Sequence, residues 1–325
     1  MNFKTFFLVG LMLSVSACGG GGGGDNSSSN GGSGGGGTAS PAPSVAITTS
    51  NSDQVASTAG SGDSVAKSAS GGYAPLTVNQ STQNALTVRS LATSIFHLGS
   101  SQNLQALATT PICGNADGSA TVTGGLTGAT SGSIIFNNCM LSGTSVVLDG
   151  TVTKTLKSGD TDTDTFDVTV TFTNFKVTLG TVTTLNATMH VVSNSDGTTL
   201  TVDVDFPNFY LTHGSDYVGL YDFTMHSDEI IATQAYTMTF SYTFDSDLIN
   251  GAVKVATETP LQGYSYNNYP DTGSVVFTGA NNAQIRVTAN GDGTVTVAVD
   301  GNGDGVYDSS QTIPWSTFDT YSLLQ

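Results

Sequence analysis

Three stretches of this chain alternate apolar and polar residues one for one, and no other feature restricts the possible folds as much. Phe166, Val168, Val170 and Phe172 alternate with Thr165, Asp167, Thr169 and Thr171. Leu200, Val202, Val204 and Phe206 alternate with Thr201, Asp203 and Asp205. Tyr236, Met238, Phe240, Tyr242 and Phe244 alternate with Thr237, Thr239, Ser241 and Thr243. Period two sends successive side chains to opposite faces of a strand, so one face meets a core and the other meets water. Parallel strands buried on both faces read instead as continuous apolar runs. The pattern therefore predicts antiparallel sheet.

The strands also repeat. Phe-x-Asn-(Cys or Phe)-x-apolar occurs as Phe136-Asn138-Cys139-Leu141, Phe172-Asn174-Phe175-Val177 and Phe206-Asn208-Phe209-Leu211. The spacing is about 35 residues, enough for a two-strand unit. A second strand is expected around Leu148, Leu185 and Leu220, and a looser fourth copy begins at Phe240. Apolar residues sit at even positions before Asn174 and at odd positions after it. One extra residue in a strand switches the parity, which predicts a β-bulge or bend at each Asn, a residue that tolerates the left-handed conformation. Aligned bends curve a sheet. The predicted fold is mainly β: a curved antiparallel meander of long hairpins, forming a trough or partial barrel, with one packed N-terminal helix. Val88, Leu91, Ala92, Ile95 and Leu98 recur at helical spacing, so that helix is expected over residues 79–98. Sheet is expected over residues 119–325, inside one domain of residues 76–325.

The chain begins MNFKTFFLVGLMLSVSAC. A lysine, a short apolar run and small residues precede Cys18, and the run is too short for a spanning helix. Val15-Ser16-Ala17-Cys18 resembles the lipobox of bacterial lipoproteins. The resemblance implies a signal peptide of residues 1–17, cleavage before Cys18 and lipid on that cysteine, which makes a membrane the first expected partner. Gly19 rather than Asp after the cysteine favours the outer membrane, by resemblance to enterobacterial lipoproteins. Residues 18–75 contain GGGGGG, SSSN, GGSGGGG and a PAP segment. They read as a flexible tether, too poor in apolar residues to offset its ordering entropy.

The chain has 8 Lys+Arg against 25 Asp+Glu and a formal net charge of −17, which argues against nucleic acid or an anionic lipid surface as a partner. Of its 3 cysteines, Cys113 and Cys139 remain after lipidation of Cys18, and an exported pair is expected to form a disulfide. In the third and second copies of the repeat Phe209 and Phe175 stand where Cys139 stands, so Cys139 is expected to point into the core.

Outside the low-complexity Gly tracts of residues 19–37, no nucleophile elbow, zinc-protease motif, phosphate loop or dinucleotide fingerprint is present, and no catalytic residue is assigned. His190 and His226 both lie in Thr-Met-His triplets one repeat apart. They are either a paired-imidazole metal site or repeated residues of the polar face. Tyr264, Tyr266 and Tyr269 sit in one loop that either stacks on a glycan or apolar ligand or packs over the sheet end. Asp160, Asp162 and Asp164 read as a solvated hairpin turn.

Asp300-Gly301-Asn302-Gly303-Asp304-Gly305-Val306-Tyr307-Asp308 resembles the acidic loop of EF-hand and dockerin modules. The resemblance implies a structural calcium ion held by Asp300, Asn302, Asp304, the carbonyl of Val306 and Asp308, with Gln311 where a bidentate Glu is expected. The stretch Gly273–Ala280, the Val295–Val299 strand, the acidic loop and Trp315, with Cys113-Gly114 and Phe136–Cys139, resemble a group of uncharacterised proteobacterial envelope lipoproteins. That group brings no activity with it. The expected function is a non-enzymatic structural or binding role in the cell envelope. The alternatives are a carrier that holds an apolar ligand in the concave face, and a hydrolase assembled from scattered Asp and His. An open apolar trough would favour the carrier, and a filled one the structural module.

Overall fold

The computed structural model describes residues 39–60, 113–114, 117–125, 129–140, 147–161, 163–179, 181–213, 216–267 and 269–320. Helix α1 spans Ser52–Gly60. Thirteen strands follow: β1 (Ser119–Gly124), β2 (Gly132–Met140), β3 (Val147–Asp160), β4 (Thr165–Leu179), β5 (Thr181–Ser195), β6 (Thr199–His213), β7 (Asp216–Ile230), β8 (Ala235–Ser246), β9 (Gly251–Tyr264), β10 (Thr272–Thr278), β11 (Gln284–Ala289), β12 (Thr294–Asp300) and β13 (Ser309–Pro314). A short helix, α2 (Trp315–Thr320), ends the described chain. The 13 strands form one open antiparallel sheet in sequence order, with β1 and β13 at its edges. The sheet thus stops at Pro314, earlier than the expected 325, and Trp315 opens a helix. Among the described residues no helix is long and apolar enough to cross a bilayer.

The repeat is one hairpin. In its three copies the residue after the Asn pairs with the expected leucine: Cys139 with Leu148, Phe175 with Leu185 and Phe209 with Leu220. Before the bend, Phe136 faces Gly150, Phe172 faces Ala187 and Phe206 faces Phe223. The register shifts between Phe136 and Cys139 and between Phe172 and Phe175, and Asn138 and Asn174 take positive φ of 45° and 49°. Each bulge withdraws one N–H from the ladder, and a side chain on the next strand accepts it. Asn138 N donates to Asp149 Oδ1 at 2.7 Å, and Asn174 N donates to Asn186 Oδ1 at 2.8 Å.

The third copy differs. Asn208 does not take positive φ; Asp222, on the neighbouring strand β7, takes it at 50°. Pro207 has no N–H to offer the ladder, and Asp222 lies opposite it between the pairs Phe206–Phe223 and Asn208–Tyr221. Both strands carry an extra residue together here, so their mutual register is unbroken, and the shifts appear on their outer sides, between β5 and β6 and between β7 and β8.

One face of the sheet carries the core. Phe172, Phe175, Phe206, Phe209 and Leu220 are each 0–2% exposed. Full burial of side chains of this size stabilises the fold by about 1.5–3 kcal/mol each. The helix expected over residues 79–98 lies outside the described residues. The helix that is seen against this core is α1, inside the stretch expected to be tether. Val45, Ile47, Val55, Ala56 and Ala59 are buried in the same cluster as the sheet residues. Val45 N donates to Ala252 O, Ala280 N donates to Val45 O at 2.8 Å, and Tyr242 Oη donates to Ala59 O at 2.7 Å. A nine-residue helix is too short to persist alone in water, so this packing holds it. The folded unit therefore begins at Ser40 rather than at residue 76.

Candidate functional site

Cys113 and Cys139 are bonded, with Cα atoms 4.9 Å apart. Cys139 is fully buried on β2, as its alignment with Phe175 and Phe209 implies, and Gly114 N donates to Met140 O beside it. The bond is a staple between β2 and the chain that precedes the sheet. Cys18, the expected lipid site, lies outside the described residues.

The acidic loop follows β12. Asp300 ends that strand fully buried. Its Oδ1 accepts Gly303 N at 2.7 Å and its Oδ2 accepts Gly305 N at 2.8 Å. Asn302 Oδ1 accepts Asp304 N, and Asp304 Oδ1 accepts Val306 N at 2.8 Å. Gly303 and Gly305 adopt positive φ of 75° and 86°, which lets the chain wrap around the Asp300 carboxylate. Asp308 returns to the strand through Asp308 N to Val299 O. Gln311 does not belong to this loop. It sits on β13 opposite Val297, and its amide donates to both carboxylate oxygens of Asp53 on α1, at 3.0 and 2.7 Å. Alternation along β13 carries Gln311 away from the loop, so the twelfth ligand position is unfilled by this residue. Five of the six expected calcium positions share the loop, and the side chains of three of them, Asp300, Asn302 and Asp304, accept its backbone N–H groups. Among the described residues no group of three or more His, Cys, Asp and Glu side chains forms a metal-holding cluster.

The two repeat-related histidines are not a pair. Strand β6 separates His190 on β5 from His226 on β7, and its carboxylates take both rings. His190 Nδ1 lies 2.8 Å from Asp205 Oδ1, and its Nε2 lies 2.8 Å from Asp167 Oδ1 on β4. Lys157 Nζ on β3 lies 3.2 Å from the same Nε2. His226 Nδ1 lies 2.7 Å from Asp203 Oδ1, and its Nε2 lies 3.2 Å from Asp228 Oδ2, whose other oxygen accepts the Thr201 hydroxyl. Burial pushes His190 down, but its bonds to Asp167 and Asp205 outweigh that and hold the imidazole above its ordinary 6.5. The bond to Asp203 is the main cause that raises His226, against a smaller opposing effect of burial. Among the described residues the side-chain partners of the two rings are Asp and Lys, with no hydrogen bond to a Ser, Thr or Cys side chain. Asp167, Asp203 and Asp205 were visible in the sequence only as polar-face residues. Their pairing with histidine appears once the register sets Asp205 opposite His190 and Asp203 opposite His226.

The tyrosine loop divides. Tyr269 stacks on Trp315 at 5.2 Å and 4°, and Trp315 meets Phe318 edge-on, so this part packs over the sheet end. Tyr264 and Tyr266 stack on each other at 5.2 Å and remain exposed. The Asp160–Asp164 segment is the turn between β3 and β4, closed by Thr163 N to Asp160 O; Asp162 lies outside the described residues. Set against protein-family models, characterised proteins and solved structures, the chain finds no match in any of the three.

Proposed function

We propose that the protein is a cell-envelope lipoprotein, held to the outer membrane by lipid on Cys18, with a structural or binding role rather than an enzymatic one. The observation that carries this reading is the sequence Met1–Cys18, in which charge, apolar run, small residues and cysteine stand at lipobox spacing. The Cys113–Cys139 bond supports it, because structural disulfides belong to oxidising compartments. The burial of the large side chains on the apolar face, Phe206 and Phe223 among them, supports a structural or binding module over a carrier with an open apolar trough. The acidic balance of the chain argues against nucleic-acid partners. Calcium in the Asp300–Asp308 loop is a separate proposal, supported by the wrap of the glycines around Asp300 and weakened by the position of Gln311.

Cys18→Ala, expressed in the native host, tests the anchor. The variant is expected to leave the membrane fraction or to retain its signal peptide. Wild-type-like retention in the membrane with normal processing would overturn the reading.

A further inference from the structure

The outer face of the sheet carries two arms of linked ionisable groups across five strands, meeting on β6. Lys157, Asp167, His190 and Asp205 run from β3 to β6, and Asp203, His226 and Asp228 continue from β6 to β7. Each imidazole has a carboxylate oxygen at both ring nitrogens. A carboxylate only accepts, so two such contacts require two N–H donors, and only the imidazolium has them. A neutral ring can serve one carboxylate and must turn a lone pair toward the other. We propose that these residues form a proton-operated clamp, which ties β4 to β6 through His190 and β6 to β7 through His226 while both rings are doubly protonated, and which releases one bond at each ring when a proton leaves.

The charges agree with this. With both rings protonated, Lys157 and two imidazoliums face four carboxylates; without those protons, one cation faces four. Lys157 supplies the alternative state of the His190 arm. Its Nζ is 3.2 Å from His190 Nε2 and 3.6 Å from Asp167 Oδ1, so it can donate to the ring once the ring no longer donates to Asp167. On their other sides, among the described residues, the rings face uncharged positions: β4 sets Thr169 opposite His190, and β8 sets Thr239 opposite His226, while Asp203 and Asp205 of β6 are each diagonal to the other arm's ring. Both rings are held above the usual imidazole value, which is the direction that two carboxylate partners dictate.

A folded-state value above the unfolded 6.5 means that the folded form binds the proton more tightly. The stabilisation is fully present below 6.5 and is lost as pH rises through the folded value. Between pH 6 and 8.5 ordinary carboxylates are already ionised, so histidines dominate what titrates in this window.

The test is an imidazole NMR titration of the full chain with melting curves at pH 6 and 8.5. Both midpoints are expected above 6.5. Asp205→Asn should lower the His190 midpoint, Asp203→Asn should lower that of His226, and Lys157→Met should raise that of His190. The melting temperature of the wild type should fall between pH 6 and 8.5 by more than that of a His190→Gln, His226→Gln variant. Midpoints at or below 6.5, midpoints unmoved by the Asn and Met changes, or equal losses of melting temperature would each overturn the clamp.

Discussion

Gly150→Ala tests whether the bends are close-packed joints or loose interruptions. Gly150 lies on β3 opposite the bulge of β4, at a φ of +97°. A Cβ there would meet the carbonyl oxygen of Asn174, and would stand 2.6 Å from its carbonyl carbon and 2.7 Å from Phe175 Cα. All three are backbone atoms, so no side chain can swing aside. Left-handed backbone costs a non-glycine residue about 1–2 kcal/mol. Forcing an extra carbon into a packed position adds about 1–3 kcal/mol. Gly197→Ala is the control. Gly197 has a similar φ of +86°, but a Cβ there would meet nothing within 4 Å. Denaturant unfolding of both variants should show a loss of about 1–2 kcal/mol for Gly197→Ala and a further loss of about 1–3 kcal/mol for Gly150→Ala. Equal losses would refute the claim that β3 and β4 are in close contact at the bend.

Two further outcomes follow from the staple and the acidic loop. Replacing both Cys113 and Cys139 with Ser, or reducing their bond, should lower stability by about 3–4 kcal/mol for a closed loop of 26-residue separation; unchanged unfolding under reducing conditions would contradict this. Asp300→Ala removes the acceptor of two charge-assisted bonds and should cost about 3–6 kcal/mol, at roughly 1.5–3 each. If calcium occupies the loop with an extracellular-type affinity, a tenfold to hundredfold excess of the ion should stabilise the wild type by about 1–3 kcal/mol. Asp304→Ala should abolish that gain, and equal melting curves in calcium and in chelator would remove calcium from the account.

The sheet was legible because its strands alternate, and alternation is forced on any strand with one wet face. The bends at Asn138 and Asn174 were legible for a related reason, since a parity switch inside an alternating strand can only mean an extra residue. The bend at Asn208 was legible in the same way, as an extra residue of β6 relative to β5, whereas its counterpart at Asp222 on β7 was not, because a motif read along one strand does not show its neighbour. Residues 40–60 were read as tether because Ser, Ala and Thr dominate them and they follow the Gly-rich tract. Small residues pack closely without raising hydropathy, and Ala56 and Ala59 are fully buried. The spacing of Val55, Ala56 and Ala59 was the available signal. Gln311 was placed by counting along a loop that in fact ends at Asp308, where the chain rejoins the sheet. The histidine–aspartate pairing depends on the register of four strands, which no single stretch of sequence contains.

The most direct test of the central claim is the intact mass of the N-terminal peptide from protein extracted from native membranes. The account predicts that the mature chain begins at Cys18 and that this residue carries diacylglycerol and a third acyl chain. A mature chain that starts elsewhere, or an unmodified Cys18 peptide, would contradict it.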